Sequence, residues 1–436
     1  MKEIRVGLLG FGTIGTGVVK VLQQNSNLLS ERLGVRVLLE RVADLDITTD
    51  RGVSLPDGVL TFDAQEVVAN PEIDVVIELI GGYEPARTLV LQAINNGKHI
   101  VTANKALLAV HGEEIFAAAE TAGVEVMFEA AVGGGIPIIS SIKENLCANN
   151  FLSIFGILNG TCNYILTRMT QEGAEFSNVL ADAQANGYAE ADPTFDLEGV
   201  DTAHKLALLI GLCFGTRVNL ESIYTEGICQ ILPIDIHYAE LFGYKLKLLA
   251  ISKMNEGEIE ARVHPTMIPL HYPMADVDGV FNAVRLFGDF VGPVIQYGLG
   301  AGMEATASAV VGDVMSIARG VLSGSGLRTP AMAYPSSAIK NLKIKPMDDL
   351  VTEYYMRVGV KDQPGVLATI AGILGKYNIS IASMIQPERN NEGVVPLVFM
   401  THEAREADVR AAFVEIDNLD VVQDKAHFIR IEGDMG

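Results

Sequence analysis

The sequence predicts an α/β protein in three parts: an N-terminal doubly wound parallel sheet, an α+β domain in the middle, and a C-terminal ferredoxin-like domain of βαββαβ order. Three observations carry that prediction. A glycine turn, Gly10-Phe11-Gly12-Thr13-Ile14-Gly15, follows at once on the apolar run Ile4 to Leu9 and leads into helical periodicity at Val18, Val19 and Leu22. Strand-like runs then alternate with helical stretches as far as Phe128, which is the rhythm of a parallel sheet. Beyond a polar, proline-broken stretch at 340–350, strand and helix patterns return in the order of a split βαβ fold.

In the first part, taken as 1–130 and completed by a helix at 303–322, strands are expected at Ile4 to Leu9, Val35 to Ala43, Val75 to Ile80, His99 to Ala103 and Val124 to Phe128. Helices are expected at Glu84 to Asn95 and Ala106 to Thr121. GxGxxG between a first strand and a first helix is the dinucleotide fingerprint of a Rossmann sheet. Gly10 allows the tight turn, Gly12 lets a pyrophosphate approach the backbone, and Gly15 lets helix and strand pack closely. The turn Gly10, Phe11, Gly12, Thr13, Ile14 and Gly15 is therefore a candidate cofactor site. The second strand ends at Asp44, where an acid bonds the ribose 2′-hydroxyl of NAD and a basic residue would accommodate NADP. Arg41 and Arg51 lie near in sequence, and Asp44 also suits an ordinary turn, so both cofactors stay open. The ligand face of such a sheet lies at the carboxyl ends of its strands, here Gly81-Gly82, Thr102 to Lys105 and Ala131 to Gly135. Lys105 is thus a second candidate contact for cofactor or substrate; the other reading is a solvated lysine at a helix start.

At 131–302 the βα rhythm breaks and a substrate domain of α+β type fits; its densest chemistry is Gly187 to Leu209, GYAEADPTFDLEGVDTAHKLALL. Pro193 and Gly199 are poor helix-interior residues, so Gly187 to Gly199 reads as a loop and Val200 to Cys213 as a helix with an apolar face. Asp201 and Lys205 then stand one turn apart on one face, and Leu206 to Ile210 carry the helix into a core. Desolvation lowers the pKa of an ammonium group, and carboxylates such as Asp201, Glu190 and Asp196 raise it again. Lys205 is the candidate proton donor; the same pair on an ordinary surface helix would be only an i, i+4 ion pair. The closely spaced glycines Gly298, Gly300 and Gly302 suit backbone packed against a ligand or against the first domain.

Composition bounds the partners. Of the 436 residues 49% are hydrophobic, enough for two or three packed domains. A formal charge of −22 argues against recognition of nucleic acid or an anionic membrane through bulk electrostatics and leaves small ligands open. Cys147, Cys162, Cys213 and Cys229 are widely spaced in apolar surroundings and read as buried thiols of a reducing compartment. No signal peptide pattern is present and no run reaches the length of a membrane span, so a cytoplasmic protein is expected. The eight histidines do not cluster at metal-ligand spacing, and His204 reads as structural.

Taken together, these segments resemble the homoserine dehydrogenases. The matching pieces are GFGTIGTGV at Gly10, TANKALLA at Thr102, EAAVGGGIP at Glu129, GILNGTCNYIL at Gly156, the Gly187 segment, and GLGAGMEATASAVVGDV at Gly298, in family order. The resemblance implies reversible hydride transfer between NAD(P)H and L-aspartate 4-semialdehyde, giving L-homoserine, in threonine, methionine and isoleucine biosynthesis. By family motif Lys205 is the proton donor to the forming alkoxide and Lys105 a second catalytic or cofactor-contacting lysine. Glu190 and Asp201 are implied to hold the amino-acid substrate, with Asp196 in support. Gly12, Thr13, Ile14, Gly187 and Gly302 are implied to touch the dinucleotide. Glu129, Val132, Gly134 and Ile136 match a monovalent-cation site, for Na+, made mostly of backbone oxygens. The resemblance also implies that the domain at 131–302 is catalytic and carries dimerisation, giving a homodimer or homotetramer.

The stretch 340–350 reads as a linker, and 351–433 as the C-terminal domain. There, KDQPGVLATIAGILGKYNISI looks like an ACT domain, a module that commonly binds amino acids. Pro364-Gly365 opens its first helix with amides free to receive a carboxylate. In this family such a domain commonly carries feedback inhibition, so L-threonine is the effector expected; a purely structural dimerisation domain is the other reading. Against the enzyme stand a dehydrogenase of another amino-acid aldehyde and a non-catalytic regulator that senses a dinucleotide and an amino acid. A sensor needs no proton donor, so the Lys205 constellation favours the enzyme.

Overall fold

The computed structural model describes residues 3–325, 329–386 and 394–435. Its contacts divide the chain into two compact units, one of Met1–Gly160, Asp201–Ile223 and Val280–Leu342, the other of Thr161–Val200, Tyr224–Gly279 and Lys343–Gly436. The division runs through the stretch expected to be a single middle domain.

The first unit is built on a parallel sheet. Strands β1 (Glu3–Leu9), β2 (Arg36–Ala43), β3 (Leu60–Thr61), β4 (Val75–Glu78), β5 (His99–Thr102) and β6 (Val126–Met127) lie in the order β3-β2-β1-β4-β5-β6. This is one strand more than the sequence suggested, because Leu60–Thr61 is too short to show a period. Ile4, Val6, Leu8, Val75 and Ile77 are buried, as strands covered on both faces require. Helix Thr13–Gln24 returns over the sheet and packs on helix Met303–Ser323, which the chain supplies from its far end. The approach is close at Gly17, where a Cβ would sit 2.7 Å from the Met303 side chain. Met303–Ser323 is long and apolar enough to cross a membrane by length and composition, contrary to the expectation that no run reaches that length; 56% of its apolar window is buried. Val310, Val314 and Ile317 on its inner side join the core beneath β1 and β4. The same unit holds an antiparallel set, Phe151–Ile157 beside Phe281–Gly288 beside Gly292–Leu299.

In the second unit the C-terminal strands Val351–Lys361, Ile381–Ile385, Val394–Thr401 and Val422–Ile431 pair in the order fourth, first, third, second, with helices Val366–Lys376 and Glu406–Asp417. Val366, Ile370, Ile373 and Leu374 recur at helical spacing and form the core of this βαββαβ domain. Its fourth strand runs parallel to Glu258–Pro269, pairing Arg430 with Thr266, and that strand is antiparallel to Tyr244–Asn255. The stretch read as a linker is therefore corrected: Lys343–Ile344 is a short strand beside Glu258–Ile259, and Met347–Asp349 is a 3-10 turn. Proline and charge there mark a sheet edge, not a tether. The loop Gly187 to Gly199 likewise contains a short helix, Thr194–Leu197, because Pro193 stands just before it, where a proline costs no hydrogen bond. Of the four thiols expected to be buried, Cys147 and Cys229 are exposed, and all four are free.

Candidate active site

Gly10 takes φ 94°, and a Cβ there would stand 2.6 Å from the Leu79 carbonyl oxygen, so the turn needs glycine. Gly15 packs directly over the Gly10 carbonyl. Gly12 caps helix Thr13–Gln24, is exposed like Thr13, and has nothing near its missing side chain, which leaves a clear path to the helix start. Phe11 is buried, Ile14 partly so. Asp44 accepts from the Phe11 amide at 2.5 Å and from the Asp46 amide at 2.8 Å, with the Arg51 guanidinium at 3.5 Å. Arg51 in turn lies over the Phe11 ring, 4.8 Å from its centre. Acid and base thus stand together at the end of β2. Gly302, φ 107° and exposed, caps helix Met303–Ser323.

Lys105 is placed by a hydrogen-bond network at the carboxyl ends of β4 and β5. The buried Glu78 carboxylate accepts from the Ile80 and Gly81 amides and, at 2.6 Å, from the Thr102 hydroxyl. The Asn104 amide donates to that hydroxyl, and its side chain bonds the Gly82 carbonyl while capping the helix through the Leu107 amide. Lys105 opens the capped helix Lys105–Ala122.

The ammonium of Lys105 meets a carboxylate from far along the chain. Helix Val200–Phe214 begins after Gly199, whose φ is 81°, and is buried along most of its length. The Asp201 side chain, 4% exposed, accepts from Lys205 Nζ at 2.7 Å and from Asn159 Nδ2 at 2.9 Å, and its other oxygen lies 3.0 Å from Lys105 Nζ. Lys205 Nζ also donates to the Leu158 carbonyl at 2.7 Å. Burial pushes the Asp201 carboxyl up, but the Lys205 and Lys105 ammoniums outweigh it and hold the group well below the usual carboxylate range. One carboxylate between two ammoniums leaves a net positive charge, the arrangement that stabilises negative charge forming on an oxygen. His204, beside Lys205 in sequence, is buried, and burial lowers its pKa. A cavity of about 390 Å³ borders the same two helices at Phe116, Leu208, Met332 and Tyr334 and holds none of these charged groups.

Gly187, Glu190 and Asp196 belong to the second unit. Gly187, φ 73°, closes helix Phe176–Ala185. Glu190 is exposed, and its carbonyl accepts from Gln184. Asp196 lies in helix Thr194–Leu197, its carboxylate 3.4 Å from the Thr161 hydroxyl, which donates to the Tyr188 carbonyl at 2.7 Å. Asn159, the Leu158 carbonyl and Thr161 were not singled out from sequence. The signal was Asn159-Gly160-Thr161 at a strand-to-helix turn.

Glu129, Val132, Gly134 and Ile136 lie buried in the first unit. The Glu129 carboxylate is taken up by the Ile139 and Ser140 amides at 2.7 and 2.8 Å. Gly133 and Gly134, at φ 72° and 53°, turn the chain tightly. Among the described residues no group of three His, Cys, Asp or Glu side chains could hold a metal.

Family models described as "Homoserine dehydrogenase, NAD binding domain", "Homoserine dehydrogenase" and "ACT domain" match residues 10–129, 137–315 and 354–419. A homoserine dehydrogenase of Neisseria gonorrhoeae is 46% identical over 432 residues, covering 99% of each chain. The chain belongs to the homoserine dehydrogenase family. A Pseudomonas aeruginosa homoserine dehydrogenase is 45% identical with the same coverage. The crystal structure of a homoserine dehydrogenase from Thiobacillus denitrificans is 48% identical, with a TM-score of 0.93 over 99% of both chains. A hyperthermophilic archaeal homoserine dehydrogenase in complex with NADPH matches 75% of this chain and all of its own, at 26% identity and a TM-score of 0.63. As a homoserine dehydrogenase, the protein is an NAD(P)-dependent oxidoreductase that interconverts L-aspartate 4-semialdehyde and L-homoserine, and it carries a C-terminal ACT domain.

Proposed function

We propose that the Lys105, Asp201 and Lys205 cluster is the centre of this reaction. The observation that carries the proposal is one buried carboxylate bonded to two ammoniums, 2.7 and 3.0 Å away, at the ligand face of a dinucleotide sheet. The nicotinamide cofactor supplies or accepts the hydride when bound. In the reducing direction the aldehyde oxygen gains charge, and Lys205 hands it a proton while Asp201 keeps the ammonium aimed; Lys205 then regains its proton from water. Lys105, 34% exposed, adds a second positive charge from the cofactor side. Glu190 and Asp196 offer carboxylates that suit the substrate ammonium.

The residues fit a dinucleotide: the exposed amides at Gly12 and Thr13, with Ile14, take the pyrophosphate, and Gly302, in the same unit, borders it. Asp44 offers a carboxylate to a 2′-hydroxyl and Arg51 a guanidinium to a 2′-phosphate, which supports use of NAD as well as NADP. With the Glu129 side chain engaged, the carbonyls of Glu129, Val132, Gly134 and Ile136 are the donors for a monovalent cation such as Na+; hard oxygens without side-chain charge suit one.

L-threonine is the effector we assign to the ACT domain, at the start of helix Val366–Lys376, where Gly365 takes φ 91°. A homodimer or homotetramer is supported by Ile295, Tyr297 and Leu299, apolar and exposed on the edge strand of the first unit. Four free thiols support a cytoplasmic location. The substrate reading is tested by comparing L-aspartate 4-semialdehyde with succinic semialdehyde, which lacks the ammonium. Discrimination of about 10²-fold or more in kcat/KM is expected, since the acids would be left unpaired. Equal efficiency would remove Glu190 and Asp196 from the binding site.

A further inference from the structure

The ACT domain reaches the substrate loop through a strap at 224–229, within one compact unit. Tyr224–Thr225 runs parallel to Glu258–Pro269, and the Glu226 amide donates to the Val263 carbonyl at 2.8 Å. The strap then passes beneath the end of the loop. The Ile228 amide donates to the Leu197 carbonyl at 2.9 Å, and a Cβ on Gly227 would collide with that same carbonyl. A Cβ on Gly199 would stand 3.2 Å from Thr225 Cγ2. Leu197 and Gly199, which close the loop carrying Glu190 and Asp196, therefore rest on the strap.

One side chain of the ACT domain holds the strap's other side. Arg430, 1% exposed, donates through Nε and Nη2 to the Glu406 carboxylate at 2.9 and 2.5 Å. That fork leaves Nη1 aimed at Glu226 Oε2, 2.8 Å away, and Nη2 also meets the Tyr224 hydroxyl at 3.1 Å. The Tyr224 hydroxyl donates to Glu226 at 2.7 Å, and the guanidinium lies over the Tyr224 and Phe428 rings. A planar guanidinium fixed on two sides has no freedom on the third, so the position of Glu226 follows from that of Arg430. We propose that Arg430 is a positioning residue for substrate binding: acting through Glu226, it sets the strap and with it the loop Gly187 to Gly199, so that the ACT domain tunes affinity for the amino-acid substrate with no effector bound. The proposal rests on the reading that Glu190 and Asp196 hold the substrate ammonium.

The test uses the full-length chain at saturating NADPH with aspartate semialdehyde varied. Glu226→Gln keeps the shape of the strap and leaves Arg430 paired with Glu406, so the fold is preserved. KM is expected to rise about 5-fold or more, with kcat within about twofold and NADPH affinity unchanged. Arg430→Lys keeps the charge without the fork and gives a smaller rise in KM. Glu190→Ala is the control, and it must raise KM. A raised KM in Glu190→Ala beside wild-type KM in folded Glu226→Gln and Arg430→Lys overturns the proposal. An unchanged KM in Glu190→Ala overturns the loop reading and the proposal with it. Loss of kcat and NADPH affinity together with KM marks general disruption and also overturns it.

Discussion

Two clusters of the same three groups, one in each compact unit, show what separates a reactive arrangement from a structural one. In the second unit Asp278 accepts from Lys245 at 2.8 Å and Lys247 at 2.9 Å, much as Asp201 bonds Lys205 and Lys105 in the first. Lys245 and Lys247 are near neighbours on the strand Tyr244–Asn255 and share a face. Lys247 is 1% exposed and has acceptors in Asn163, Val277 and Asp278 for all three of its protons. In that cluster the accessible member is the carboxylate, 31% exposed, and the Lys247 ammonium is closed off. Lys105 and Lys205 come from distant parts of the chain, and Lys105 is a third exposed at the end of a parallel strand. Charge composition is the same in both; the exposed member is an ammonium in the first and a carboxylate in the second, and only the first stands at the ligand face of a parallel sheet.

The largest expected effect comes from the same substitution in each cluster. Asp201→Asn lowers kcat/KM by about 10²- to 10³-fold, because both ammoniums lose the group that aims them. Asp278→Asn stays within about threefold in kcat/KM and shows its cost in thermal stability instead. Equal kinetic losses in the two folded variants would erase the distinction.

A smaller effect sharpens the closed setting of Lys247. Burial pulls the Lys247 pKa down from 10.5 to about 8, with Asp278 opposing. Between those values the unfolded chain holds a proton that the folded chain has released, so stability contributed by this group rises with pH across the window. Lys247→Met lacks the term. Urea midpoints at pH 7.5 and 10 should therefore show wild type gaining on the variant by on the order of 1–2 kcal/mol; a gap that is constant with pH would place the Lys247 proton elsewhere.

Much of this was legible in the sequence, for identifiable reasons. The glycine turn, the i, i+4 pair Asp201 and Lys205, and the βαββαβ order are local patterns, and local patterns survive in one dimension. The pairing of Lys105 with Asp201 requires the strand order of a sheet, and no spacing announces it. Asn159 and the Leu158 carbonyl act through a turn whose direction only the fold sets. Two-residue strands such as Leu60–Thr61 and Lys343–Ile344 are too short for a period, which is why an edge strand read as a linker. The consequence is practical: a chain ending near Lys345 would strip Arg430 from Glu226, Arg357 from Asp235 and Glu432 from Arg262, so it does not isolate the effector site cleanly. The thiols misread as buried lie in short loops whose exposure hydropathy alone does not report.

The central claim is that Lys205 donates the proton and Lys247 does not. Single-turnover reduction of L-aspartate 4-semialdehyde at saturating NADPH, followed by nicotinamide absorbance, tests it in Lys205→Met and Lys247→Met side by side. The expected result is a rate about 10²- to 10⁴-fold below wild type in Lys205→Met with NADPH affinity retained, and a rate within about threefold of wild type in Lys247→Met. A near-normal rate in folded, NADPH-binding Lys205→Met, or an equal loss in both variants, would contradict the account.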